Sequence, residues 1–458
     1  MSDTQVDLVI LGGGSAGYAA ALRAAELGSS VVLVERDKLG GTCLHRGCIP
    51  TKTLLHAAEV ADEAKDAAAV GLKISFDGVD VEGLHRYKDS IVNKHFKGLT
   101  GLVKSRGITV VAGQGRFEAP TSVVVGDDRY TGKDVVLATG SYSRSLPGLP
   151  IEGRVITSEQ ALGLQWIPQR AIVLGGGVIG VEFASIWASL GAEVTIVEAL
   201  QSLAPAEDPW IGKQLERAFR KRKIAFKTGV RFSGVTQDDS GVTVSLESGE
   251  QLAADLLLVA VGRGAATAGN GFEEAGVRMD RGFVIVDERL HTNLPHVYAI
   301  GDIVPGLQLA HRGFQQGIFV AEEIAGRAPV VVPDRLIPRV TYTDPQIATV
   351  GLTEAEAVEQ YGQDAVDTFI YNLGGNAKSD ILRTAGGIKV VRVKDGPVVG
   401  FHMIGGRIGE LVGEAQLIVG WEAHPEDVAP FVHAHPTQYE ALGESMLALA
   451  GKPLHVHA

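Results

Sequence analysis

The sequence predicts an α/β protein built on two parallel βαβ units. Three observations predict it: a glycine-rich word that occurs twice, an acid at the same distance after each copy, and a composition of ordinary globular kind. The first copy opens on a short apolar run of strand type, VDLVIL at 6–11, and the second on AIVL at 171–174. The words themselves follow directly: Gly12, Gly13, Gly14, Ser15, Ala16, Gly17, and later Gly175, Gly176, Gly177, Val178, Ile179, Gly180. A helical stretch then runs to Gly28 or Gly191, and a second strand, 31–34 or 194–197, ends at Glu35 or Glu198. From first glycine to acid the distance is 23 residues in both copies. Strand, tight turn, helix and strand in this order give a parallel pair with a helical crossover.

Each position in the word has a physical reason. The first glycine permits the sharp strand-to-helix turn, the second lets the backbone approach a pyrophosphate, and the third lets the helix pack on the strand. Phosphates are held at a helix N-terminus, where free N–H groups and the macrodipole favour negative charge. The acid after the second strand can take ribose hydroxyls. Glycine turns in a βαβ protein without a nucleotide are the bland alternative. Two complete copies weigh against it and give an α/β fold with two Rossmann-like nucleotide-binding domains.

The remaining elements follow in order. A strand at 134–137 runs into Ala138, Thr139, Gly140 and Ser141; another at 255–261 runs into Gly262 and Arg263; a third at 297–300 runs into Gly301 and Asp302. Pro147 and Pro150, then Asn270 and Gly271, then Pro329, Pro333 and Pro338 mark boundaries. The stretch beyond mixes short strands with helices and carries His433 and His435. A length of 458 residues allows about three or four domains. Hydrophobic residues at 45% and charged residues at 21% exclude a disordered chain. Glycine is in excess, 58 residues without a collagen-like period, so it serves turns and close backbone approaches. A net charge of −12 and a pI near 5.6 speak against nucleic acid as a partner. No run of about 18 apolar residues and no signal peptide is visible, so neither a membrane nor secretion is expected, and the expected location is cytoplasmic.

Two cysteines exclude a disulfide-stapled secreted scaffold. They stand close together in Cys43, Leu44, His45, Arg46, Gly47, Cys48, eight residues after the acid of the first unit. A bridge around so small a loop constrains the unfolded chain little. The local sequence reads helical, and five residues of helix rise roughly 7.5 Å, beyond the usual Cα reach of a disulfide. A bridge therefore needs a distorted turn, which Gly47 can supply, and strained accessible bridges are the reducible ones. Two other readings stay open: zinc-binding thiols with His45 and His56, which lack a finger's spacing, and inert core thiols. No metal site is expected.

The run from Gly40 and Gly41 through Thr42, Cys43 and Cys48 to Ile49, Pro50, Thr51 and Lys52 resembles the redox signature of the flavoprotein disulfide reductases. The words Ala138, Thr139, Gly140, Ser141; Val261, Gly262, Arg263; and Ala299, Ile300, Gly301, Asp302 fall in that family's order. His433, Ala434, His435, Pro436, Thr437, Gln438, Tyr439 and Glu440 resemble its base motif, so the resemblance spans the chain. It implies FAD in the first fold and NAD in the second. It implies four domains: FAD-binding 1–148, NAD-binding 149–268, central 269–336, and a C-terminal α+β dimerisation domain 337–458. It also implies a homodimer in which the base of one subunit completes the site of the other.

Carried over by position, Cys43 is implied to be the interchange thiol and Cys48 the thiol against the flavin. His435 and Glu440 are implied to be the base dyad. Gly12, Gly14, Gly17 and Glu35 are implied to hold FAD, with Asp302 on its ribityl chain, Lys52 near its ring and paired with Glu182, and Ala310 beside it. Gly175, Gly177, Gly180 and Glu198 are implied to hold NAD, with Thr42, Gly115, Thr139, Gly140 and Gly262 as further cofactor contacts. The chemistry agrees: thiolate is the nucleophile, so a dithiol near neutral pH needs a base such as His, with a carboxylate to fix its tautomer. His433 keeps the reading of a satisfied structural His. Within the family the chain most resembles the branch that oxidises dihydrolipoamide with NAD+. That implies a lipoyl-bearing acyltransferase subunit of a 2-oxoacid dehydrogenase complex, or a glycine cleavage lipoyl protein, as partner. The alternatives are an NAD(P)H-dependent reductase of another small disulfide, and a mainly binding subunit of a dehydrogenase complex. His45 and Arg46, the run Arg312 to Gln316, and Gln438 and Tyr439 depart from the usual pattern and bear on substrate entry.

Overall fold

The computed structural model describes residues 3–456, which divide into two units. The first takes 3–53, 82–144 and 262–334; the second takes 54–81, 145–261 and 335–456. In the first unit the strand Asp3–Leu11 lies between Val31–Glu35 and Asp128–Leu137, all parallel. Thr109–Ala112 extends the sheet beyond Val31–Glu35, and Val297–Ala299 adds to the second half of Asp128–Leu137. A hairpin, Gly115–Ala119 with Ser122–Val125, pairs antiparallel to the first half of that strand. Leu8, Val9, Ile10, Val32 and Leu33 are fully buried, as a parallel sheet covered on both faces requires. The crossover helix Ser15–Glu26 lies against the helix Ala310–Ile324 through small residues: Gly313 and Gly317 face Ala16, Ala19 and Ala20.

The second unit repeats this plan. Arg170–Leu174 lies between Glu193–Val197 and Leu256–Val259, with Ala225–Lys227 and Val155–Thr157 at the edges, all parallel. The strand expected at 255–261 is thus shorter, because Ala260 and the residues after it turn away to meet the glycine loop. An antiparallel sheet, Phe232–Asp238, Gly241–Leu246 and Gln251–Ala254, follows in the same unit. Its last part is a five-stranded antiparallel sheet in the order Arg339–Thr341, Gln346–Gly351, Val398–Gly405, Gly387–Val393, Val366–Asn372. Val412–Gly420 and Glu440–Leu449 pack on it around Phe401, Met403, Leu442 and Met446. Each such fully buried aliphatic or aromatic side chain contributes roughly 1.5–3 kcal/mol. Among the described residues no helix is long and apolar enough to cross a membrane.

Candidate active site

The first glycine word makes its turn at Gly12, whose φ of +113° favours glycine and where a Cβ would collide with the Ala138 carbonyl. Gly17 sits in the following helix against the Gly12 carbonyl. Gly14 caps that helix without a side-chain bond, and no acid lies in its first turn, so its N–H groups are left for a ligand. Glu35 is tied to its own loop: Oε2 accepts from Gly13 N at 2.7 Å and Oε1 from Asp37 N at 2.8 Å. Burial pushes its carboxyl up, against these N–H groups and Arg36. Each oxygen keeps acceptor capacity for a sugar hydroxyl.

The cysteines are seated on this loop. Gly40 N donates to Gly13 O at 2.9 Å, and a Cβ on Gly41 would stand 2.7 Å from Gly14 Cα. The short helix Gly41–Arg46, with Thr42 and Cys43, therefore starts against the glycine turn. The helix stops at Gly47, with φ −144° and ψ −110°, and a new helix, Cys48–Asp66, carries Cys48 and Lys52. This break overcomes the axial separation that a continuous helix would impose and brings the sulfurs into interaction. Cys48 and burial together push the Cys43 thiol up, while the Ser15 hydroxyl and the Lys52 ammonium act the other way. Tyr18 lies close as well: burial and the two sulfurs push its phenol up to about 12. Ser15 and Tyr18 belong to the site, and sequence reasoning missed them. Ser15 was visible inside the glycine word; Tyr18 had only its place one turn further along the same helix.

Thr139 and Gly140 follow the strand Asp128–Leu137. Thr139 Oγ1 is buried with no hydrogen-bond partner, a state that buried hydroxyls avoid unless a ligand completes them. Asp302, in the turn Gly301–Ile303, accepts from Ser141 Oγ at 2.5 Å, and Arg263 Nε donates to the same hydroxyl at 2.8 Å. Ala310 opens its helix at Leu309, a second N-terminus without a side-chain cap, and Gly301 and Gly313 both lie against Ala16. Gly262 has φ +106° with open space around it. Gly115 opens a strand and is packed beneath Leu11 and Val34. An orphaned hydroxyl, two uncapped helix starts and a tethered ribose-type acid fit a dinucleotide such as FAD.

The second word repeats the arrangement. Gly175 turns with φ +110° against the Ala260 carbonyl, Gly180 packs on Gly175, and Gly177 caps the next helix with open space beside it. Glu198 Oε2 accepts from Gly176 N at 2.6 Å and Oε1 from Leu200 N at 2.7 Å, the same tether as in the first copy. Glu182 is buried and accepts from Tyr342 N at 2.9 Å. His435 Nδ1 bonds Glu440 Oε1 at 2.9 Å, which leaves Nε2 outward on a side chain that is 73% exposed. Burial opposes the Glu440 charge, but Thr437 N at 2.7 Å and His435 hold the carboxyl below its usual range. His433 is the satisfied residue expected: Nε2 bonds Glu414 at 2.8 Å, and that carboxylate raises its pKa.

Comparison with known proteins agrees with this geometry. The family described as pyridine nucleotide-disulphide oxidoreductase matches residues 6–317, and its dimerisation domain matches 337–446. A mitochondrial dihydrolipoyl dehydrogenase of Arabidopsis thaliana is 39% identical, covering 98% of this chain and 91% of its own. The dihydrolipoyl dehydrogenase of Bacillus subtilis is 38% identical over 99% of both chains. LpdA of Mycobacterium tuberculosis has the same fold, with a TM-score of 0.90 and 26% identity over 97% of this chain and 99% of its own. With two tethered glycine loops, a vicinal thiol pair on the first and a matched dimerisation region, the chain belongs to the pyridine nucleotide-disulphide oxidoreductase family.

Proposed function

We propose that the chain is an FAD-dependent dihydrolipoyl dehydrogenase, which oxidises dihydrolipoamide to lipoamide while NAD+ becomes NADH with release of one proton. The observation that carries this reading is the seating of Cys43 and Cys48 on the first glycine loop, with Ser15 and Lys52 beside Cys43. The full-length relatives of that activity support it. Bound FAD supplies a two-electron relay between the thiol pair and the nicotinamide. Gly14 and the helix start behind it hold the pyrophosphate, Glu35 and Asp302 hold hydroxyls, and Thr139 gains its missing partner. Glu198 takes the ribose hydroxyls of NAD and repels a 2′-phosphate.

The chain's own residues do the thiol chemistry. His435 Nε2 takes the proton of one substrate thiol, while Glu440 fixes the tautomer and stabilises the imidazolium. The thiolate forms a bond to Cys43 Sγ, and the bond between Cys43 and Cys48 breaks with its electron pair on Cys48. The second substrate thiol, deprotonated in turn, attacks its partner sulfur, closes lipoamide and expels Cys43. Substrate has then lost two electrons and two protons; one proton leaves with the hydride to NAD+ and the other to solvent. The exposed dyad in a chain with a dimerisation domain supports a homodimer in which His435 serves the thiol pair of the partner subunit. We assign the segments as FAD-binding 1–148, NAD-binding 149–268, central 269–336 and interface 337–458. The substrate is carried on the lipoyl protein of a 2-oxoacid dehydrogenase complex or of glycine cleavage, in the cytoplasm.

The test is a turnover assay with dihydrolipoamide and NAD+, beside other dithiols and small disulfides, on the wild type and Cys48→Ser. Turnover fastest with dihydrolipoamide and abolished by Cys48→Ser is expected. Faster turnover of another disulfide, or an unaffected Cys48→Ser, overturns the reading.

A further inference from the structure

Arg312 has an unusual position. It lies in the first turn of the helix Ala310–Ile324, where the macrodipole favours acids over cations, and it is only 6% exposed. A buried cation at that end of a helix is unfavourable unless its partners hold it there. Its donor atoms reach the preceding loop and Asp334, which lies beyond the helix. Nε donates to Asp334 Oδ1 at 2.7 Å, Nη2 to Pro305 O at 2.7 Å and Nη1 to Leu307 O at 3.3 Å. The second oxygen of Asp334 accepts from Leu307 N at 3.4 Å. Gly306, with φ +113°, lies flat against the clasp: a Cβ there would collide with Asp334 Oδ2 and Arg312 Nη2.

The clasped loop is short and both its ends matter. It begins after the turn Gly301–Ile303, which carries Asp302, and ends at Leu309, which caps the helix opened by Ala310. Gln308 Nε2 donates to Asp302 O at 3.2 Å, so the loop also touches the backbone of the acid itself. We infer that Arg312 and Asp334 are positioning residues, whose clasp fixes the spacing between Asp302 and the N-terminus of the helix Ala310–Ile324 and so sets the wall that holds FAD. This inference rests on the reading of that wall as part of a flavin site. A bent loop held between two contact points can slacken by about an ångström without unfolding the strand before it, and a shift on that scale is enough to spoil a hydrogen bond aimed at a ligand.

The test uses the full-length protein and four variants: Arg312→Met, Asp334→Asn, Gly306→Ala, which forces the clasp apart without removing a charge, and Arg312→Lys as the conservative control. Flavin affinity is measured by titrating FAD into deflavinated protein, and the visible absorption and fluorescence of bound flavin are recorded. The expected result is a loss of affinity of roughly tenfold or more in the first three, with a changed flavin spectrum, partial rescue in Arg312→Lys, and a loss larger than any fall in melting of the flavin-free proteins accounts for. Wild-type affinity and spectrum in variants that fold overturn the inference, as does a loss that tracks melting of the flavin-free protein alone. A wild type that binds no flavin instead overturns the underlying reading of the site.

Discussion

Cys43 shows how one side chain's environment dictates the rest of the site. Its thiol is pushed up by Cys48 and by burial, against Ser15 and Lys52. On the proposed mechanism the attacking thiolate comes from the substrate, and His435, with Nδ1 on Glu440, takes its proton. His435→Gln should lower kcat for dihydrolipoamide by roughly 10²–10⁴-fold, with the residual rate rising with pH as the substrate thiol ionises by itself. Steady-state rates from pH 6 to 9 check this; a loss below tenfold, or a flat residual profile, refutes the role. Glu198 allows a second test at the same scale. Its carboxylate is already moored by Gly176 and Leu200, and on the proposed reading it also takes ribose hydroxyls of NAD through charged hydrogen bonds. Glu198→Ala should cut kcat/KM for NAD+ roughly tenfold or more and narrow the ratio of NAD+ to NADP+ rates. An unchanged ratio places nicotinamide selectivity elsewhere.

At the scale of elements, the site exists because two turns are pressed together. The start of the helix Gly41–Arg46 leaves no room between Gly41 and Gly14, and Gly41 has φ +56°. Gly41→Ala should separate them, destabilise the protein by about 1–3 kcal/mol, and release flavin more readily. Urea unfolding of the holoenzyme, with flavin fluorescence followed in parallel, is the measurement; unchanged stability and retention contradict the seating described above. A second junction lies in the second unit. Asp208 caps the helix Pro209–Lys221 and meets Lys389 of the strand Gly387–Val393, with both oxygens 2.9 Å from Nζ and both side chains buried. Burial opposes the Asp208 charge, yet Lys389 and Trp210 N hold its carboxyl below the usual range. A depressed carboxyl stabilises the fold above the ordinary value, about 3.9, and this contribution is lost as pH falls through the lower folded value. Lys389→Met leaves that charge without its main partner and should cost about 3–5 kcal/mol. Acid unfolding of Asp208→Asn should be less steep below pH 4 than that of the wild type.

For the whole molecule, what was legible in the sequence is what is local in the sequence. The glycine words, the acids at their fixed distance and the thiol pair are each contained within a few dozen residues, because phosphate binding and thiol exchange both use one turn and its flanks. The His435 and Glu440 pair was readable for the same reason, five residues apart across a loop and the start of the helix Glu440–Leu449. Contacts between distant segments were not. Arg312 with Asp334, Ser141 with Asp302 and Arg263, and Asp208 with Lys389 join residues 22 to 181 apart, and no spacing rule announces them. The hairpin at 232–246 and the order of the antiparallel sheet in the last segment were hidden likewise, since pairing partners there are set by packing and not by a motif. Counted from the strand that opens on the glycine word, the parallel strands run third, second, first, fourth in each unit, so one plan serves twice.

The interruption at Gly47 has one more consequence. Because the backbone begins a fresh helix at Cys48, that sulfur stands at the first residue of a nineteen-residue helix, whose aligned amide dipoles favour an anion, whereas Cys43 belongs to a helix of only six residues. In the bridged form that the proposed reading requires, main-chain direction therefore favours Cys48 as the leaving group. On the proposed mechanism this favours attack at Cys43, with the electron pair left on Cys48.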